Sequence, residues 1–104
     1  MADRNRNIFL AQLAERALRY DDMAHHMKLV VSASGELSVE ERRLFSAAYM
    51  NAVGKRQKSC EIIASVEREE HSTGNAANAE WAQDYRLQIE REIKDIHDIV
   101  QQML

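Results

Sequence analysis

Not one proline interrupts this chain of 104 residues, and its only glycines are Gly35, Gly54 and Gly74. Proline removes an amide donor and clashes with the preceding turn, while glycine costs about 1 kcal/mol inside a helix. Such a sequence predicts long helices, broken only where small polar residues gather. Two places qualify, Ser32-Ala-Ser-Gly-Glu36 and Ser72-Thr-Gly-Asn75, each pairing a glycine with residues that favour turns. Between them, Ser38-x-x-Glu41 has the spacing of a capping box. Its serine hydroxyl can accept the third helical amide while the glutamate reaches back to the serine's own amide. The helix starting there should run to about His71 with Gly54 inside it, and a helix that long needs neighbours along its length.

Apolar residues then recur at helical spacing. The long helix carries Leu44, Ala48, Val53, Cys60, Ile63 and Val66. The last segment has the cleanest stripe, Ala82, Tyr85, Ile89, Ile93, Ile96, Val100 and Met103, with Arg86, Glu90, Arg91 and Lys94 between. Nearer the start, Phe9, Leu13 and Ala17 form one stripe, and Tyr20, Met23, Met27 and Val31 another. Arg19-Tyr20 has neither glycine nor proline, so pattern alone leaves one or two helices open over residues 4–31. No internal repeat or low-complexity segment is seen.

Composition narrows the class. With 45% apolar and 30% charged residues the chain suits one small soluble domain over residues 1–104, or a piece of a larger one. A domain this short buries only about two-thirds of its unfolded surface and gains from a partner. A net charge of −3 argues against nucleic acid. The single Cys60 cannot form an internal disulfide, and no apolar stretch nears the roughly 18 residues of a membrane span. The amino terminus lacks a signal peptide's apolar region, so a cytoplasmic protein is expected.

Four runs carry a family resemblance: Leu13-Ala-Glu-Arg-Ala-Leu-Arg-Tyr-Asp-Asp-Met23, Leu37-Ser-Val-Glu-Glu-Arg-Arg-Leu-Phe-Ser-Ala-Ala-Tyr-Met-Asn-Ala-Val-Gly54, Ile62-Ile63-Ala-Ser-Val-Glu67 and Asp84-Tyr85-Arg86. The chain resembles the amino-terminal half of a 14-3-3 protein, a family of dimeric adaptors that grip phosphorylated peptides. The resemblance covers nearly the whole chain and about the first half of that fold. It implies a tight corner at Arg19-Tyr20. The expected architecture is therefore all-α, with four antiparallel helices of which the third and fourth are long, forming a dimerisation domain.

Physics also favours pairing. Four helices of unequal length cannot all cover one another, and stripes such as Leu13/Ala17 and Ile63/Val66/Tyr85 would leave an apolar patch that a two-fold partner could bury. The resemblance implies that the first helix of one subunit packs on the third and fourth of the other. The interface would then hold Leu13, Ala17, Ser59, Ile63, Val66, Trp81 and Tyr85, with a polar rim of Arg19, Asp22, Gln88 and Glu92. Of two implied rim ion pairs, Arg19 with Glu92 is kept, whereas Asp22 meets Gln88 where a lysine is usual. Exposed pairs contribute only about 0–1 kcal/mol, so a homodimer, or a heterodimer with other members, is still expected. Ser59 also matches an interface serine whose phosphorylation favours monomers in the family. Arg56 stands three residues before it, a spacing that basophilic kinases read. The plainer reading is a small residue that lets helices approach.

The groove positions implied by the resemblance are Arg43, Ser46, Ala47, Met50, Gln57 and Glu61. A phosphate site needs cations converging on one point. Here Met50 and Gln57 stand where the family has a lysine and an arginine, and Glu61 replaces another basic residue. The segment matching the family's further arginine and tyrosine lies beyond Leu104. Each lost charged contact costs about 1.5–3 kcal/mol, so two weaken binding by about a hundredfold to ten-thousandfold. Lys55, Arg56 and Lys58 read as solvated surface. A rearranged site using Arg56 would need the helix to rotate by about 100°.

Catalysis is not expected, and no cofactor. A di-metal helical bundle needs paired Glu-x-x-His motifs, but only Asp22-x-x-His25 approaches one, and Lys94 precedes His97. His26 and His71 read as surface residues. Cys60 lies in an apolar stripe, where thiols are usually inert. The expected function is an adaptor domain that homodimerises and contributes part of a phosphoserine or phosphothreonine groove, with phosphate binding impaired. The alternatives are a dimerisation-only module, divergent or engineered and truncated, and a metal-binding four-helix bundle.

Overall fold

A computed structural model describes residues 2–33 and 35–103, apart from the side chains of Ala2 and Met103. Ser34 in the first expected break and the Met103 end of the last stripe thus lie outside what is described. Helices α1 (Ala2–Arg16), α2 (Tyr20–Ala33), α3 (Val39–Ser72) and α4 (Ala76–Met103) account for nearly all described residues, and no strand occurs among these residues. The all-α expectation with long third and fourth helices holds, at 34 and 28 residues. No helix among the described residues is long and apolar enough to cross a membrane.

The capping box forms as the sequence predicts. The Ser38 amide donates to Glu41 Oε1 at 2.7 Å, and the Glu41 amide donates to Ser38 Oγ at 3.1 Å. At the other end of α3, the Gly74 amide bonds the His71 carbonyl at 3.2 Å and the Asn75 amide bonds the Glu70 carbonyl at 2.9 Å. This paired closure needs a left-handed residue, and Gly74 supplies it at φ 83°.

The same closure makes the corner that pattern could not decide. The Leu18 amide bonds the Glu15 carbonyl at 3.1 Å and the Arg19 amide bonds the Ala14 carbonyl at 2.8 Å, with Leu18 at φ 59°. A side chain with Cβ pays roughly 1–2 kcal/mol in that region. Two separate helices therefore span residues 2–33, and a leucine occupies the usual glycine position.

Residue contacts gather into two compact units, residues 1–52 with 102–104, and residues 53–101. In the first, Ala11 and Ala14 are the buried residues of α1, while Phe9, Leu13 and Ala17 are exposed. The short alanines let α1 approach α2 closely. Arg4, at the start of α1, donates to the Val30 carbonyl near the end of α2 at 3.3 Å, which makes the two antiparallel. Met23, Met27 and Val30 of α2 and Leu44, Phe45, Ala48, Tyr49 and Ala52 of α3 complete this core. The Phe45 and Tyr49 rings pack with centroids 4.8 Å apart. Glu41 is buried among them and holds Arg4 at 2.7 Å.

In the second unit, α4 and the later part of α3 run antiparallel, tied by Arg56–Glu92 at 3.0 Å and Glu67–Arg86 at 2.9 Å. The covered line of α4 is Ala79, Ala82, Arg86, Ile89, Ile93 and Ile96, spaced three and four residues apart. Tyr85, expected on that line, is 57% exposed, and a paired arginine takes the covered place. On α3 the matching half-buried line is Val53, Arg56, Cys60, Ile63 and Glu67. Arg56 is thus a half-buried ion-pair partner and not the solvated surface residue expected.

Candidate functional site

Two surfaces carry the sequence-derived interface candidates. The first is the outward side of α1. Helical spacing sets Phe9, Leu13 and Ala17 on one face because the opposite face is taken by Ala11 and Ala14 against the core. Phe9 and Leu13 keep 61% and 49% of their surface open. Just beyond, Arg19 Nε bonds Asp22 Oδ2 at 2.8 Å across one turn. Both groups are exposed, so both rim candidates are engaged within the chain.

The second lies on the α3–α4 hairpin. Next to the covered line of α4 runs an outward line of Trp81, Tyr85 and Gln88, all exposed. On α3, Val66 is exposed, Ile63 and Ser59 are half-buried, and Ile62, which the stripe reading omitted, is 56% exposed. Glu92 pairs with Arg56 in this chain. The Ser59 hydroxyl donates to the Lys55 carbonyl at 3.2 Å, one turn back. That backbone bond inside a helix, beside an Arg56 folded onto Glu92, suits a packing residue better than an extended kinase substrate.

The groove candidates all stand on α3. Arg43 bonds Glu15 at 3.0 and 3.1 Å and Glu40 at 2.9 Å, so two carboxylates surround one guanidinium. Those partners, Glu40 first and then Glu15, raise the Arg43 pKa further, and the Arg43 guanidinium in turn holds the Glu40 carboxyl below its usual range. The cluster is left net negative. Ser46 and Met50 are exposed and Ala47 half-buried, with Met50 74% open; Gln57 and Glu61, in the second unit, are exposed. None of these positions presents a free cation where phosphate recognition needs one.

Comparison with known proteins decides the family. A family model described as 14-3-3 protein matches residues 10–104. The chain belongs to the 14-3-3 family. Among its relatives, the checkpoint signal transducer rad25 of Schizosaccharomyces pombe is 46% identical over 98 residues, covering 93% of this chain and 36% of that protein. The 14-3-3 protein epsilon of Drosophila melanogaster is 46% identical over 96 residues, 92% of this chain and 37% of the relative. The 14-3-3-like protein GF14 omicron of Arabidopsis thaliana is 42% identical over 99 residues, 94% of this chain and 39% of the relative. This 14-3-3 chain therefore spans a little over a third of the length of these relatives.

Among the described residues, no three His, Cys, Asp or Glu converge as metal ligands would. Asp22 pairs with Arg19, and His26 Nδ1 meets Asn7 Oδ1 at 3.0 Å. Asn7 donates its own amide to the Asp3 carbonyl at 3.0 Å, which leaves Oδ1 as the acceptor and puts a proton on His26 Nδ1. Burial pushes the Cys60 thiol up, with Glu90 adding to it, so the thiol stays protonated and poorly nucleophilic. The exposed Leu18 and Ile62 stood in none of the apolar stripes, and Phe9 stood in one without an interface role, because apolar periodicity does not say which apolar face turns inward.

Proposed function

We propose that this chain is the dimerising part of a 14-3-3 adaptor, acting in the cytoplasm by holding proteins together and not by catalysis, with little grip on phosphate. One observation carries the dimer reading: Leu13, Val66, Trp81 and Tyr85 keep 45% or more of their surface open although other residues of the same helices are buried. In a two-fold pair, the α1 face of each copy would cover the hairpin face of the other. Because Arg19 and Glu92 are engaged within the chain, apolar burial would carry the pairing, with ion pairs adding little. Heterodimers with other members would use the same face. The weak phosphate grip is supported by Met50, Gln57 and Glu61 and by the Arg43 charge held between Glu15 and Glu40.

Sedimentation velocity on the 104-residue chain tests the pairing. A dimer mass at high micromolar concentration is expected, little changed between low and high salt. A monomer mass there would end the reading. Fluorescence polarisation with a phosphoserine peptide should give weak or no binding. Met50→Lys with Gln57→Arg should improve it only in a chain extended by the second half of a relative's fold; tight binding by the unaltered chain would refute the impaired-groove reading.

A further inference from the structure

We propose that Leu18 is a contact residue for a second copy of this chain, an inference that rests on the dimer reading above. Leu18 sits at the left-handed position closing α1, with φ 59° and 69% of its surface open. Glycine or asparagine would close the helix there with less backbone strain, as Gly74 does at the end of α3. The leucine side chain gives little back within its own chain, since most of it faces water. It therefore adds neither backbone ease nor core.

Its surroundings fit an apolar contact. The exposed line Phe9, Leu13 and Ala17 leads along α1 to this corner, so Leu18 would extend the face already assigned to pairing. The neighbouring Arg19 is folded onto Asp22 at 2.8 Å, which offsets the charge next to Leu18 in the chain. The occupant is a second copy because the chain also carries a second exposed apolar set, Ile62, Val66, Trp81 and Tyr85, on its hairpin. A two-fold partner then supplies a match for both sets at once.

Leu18→Asn separates contact from strain, because asparagine tolerates the left-handed region. Sedimentation equilibrium should show its dimer dissociation constant raised by about tenfold or more, since a two-fold dimer loses the covered apolar side chain twice. Below that constant, its melting temperature should equal or exceed that of the unaltered chain. Leu18→Met, still apolar, should dimerise as tightly as leucine. An unaltered dissociation constant in Leu18→Asn overturns the proposal and leaves the dimer reading standing. Lower melting of Leu18→Asn overturns the argument that this side chain is not needed by its own fold. A monomeric unaltered chain removes both readings.

Discussion

Replacing Glu41 with alanine tests the junction on which the first unit depends. One carboxylate serves two partners there, accepting from the Ser38 amide at 2.7 Å and meeting Arg4 at 2.7 Å, with side chains only 10% and 20% exposed. Losing its half of the capping box costs about 1 kcal/mol. Losing a charged hydrogen bond costs about 1.5–3 kcal/mol, and Arg4 is left largely buried without its carboxylate. Glu41→Ala should therefore destabilise the chain by about 3 kcal/mol, which is a large share of a small domain's stability. Ser38→Ala, which loses only the cap, should cost about 1 kcal/mol. Glu41→Gln keeps an acceptor for the Ser38 amide and should fall between. Urea denaturation followed by circular dichroism, at fixed protein concentration, measures all three.

The carboxyl also gives the effect a pH signature. The Ser38 amide first, then Arg4, holds its pKa below the ordinary 4.5. A folded-state pKa lowered in this way contributes stability above the unfolded value, which is lost as pH falls through the folded value. The gap between the unaltered chain and Glu41→Gln should thus be full at pH 7 and shrink below about pH 4.5. A Glu41→Ala cost no larger than that of Ser38→Ala, or a gap that ignores acid, would refute the reasoning.

Gly54 lies inside α3 with nothing within 4 Å of where a Cβ would stand, so Gly54→Ala should stabilise by about 1 kcal/mol in the same denaturation assay. A destabilised variant would show that the open space is needed. Burial, and then His25, lowers the His26 pKa from 6.5 against the opposing pull of Asp22. The unfolded chain then binds more protons, so stability should fall as pH drops through 6.5 toward the folded value. His26→Gln should flatten that stretch of the stability–pH curve, and an unchanged slope would assign it to another group.

Local chemistry was readable along the chain wherever it was self-contained. Ser38 and Glu41 form their box because both partners lie within one turn, and Gly74 ends α3 because glycine enters the left-handed region freely. The corner at Leu18 has the same hydrogen bonds but no residue signal, since leucine there works against its own preference. The groove positions were legible as residue types, Met50, Gln57 and Glu61. The capture of Arg43 by Glu15 was not, because that bond joins residues 28 apart.

Helix content, helix ends at Ser38 and Gly74 and the family pattern were thus decided by sequence alone, because caps, glycine and apolar periodicity act over a few residues. Which face turns inward was decided only by tertiary packing. Ala11 and Ala14, not Phe9 and Leu13, meet the core, and Arg86, not Tyr85, takes the covered line of α4. Close helix approach selects short side chains, and a charge can stand on a covered line when a carboxylate such as Glu67 waits across it. Both depend on residues distant in sequence, which periodicity along one helix does not register.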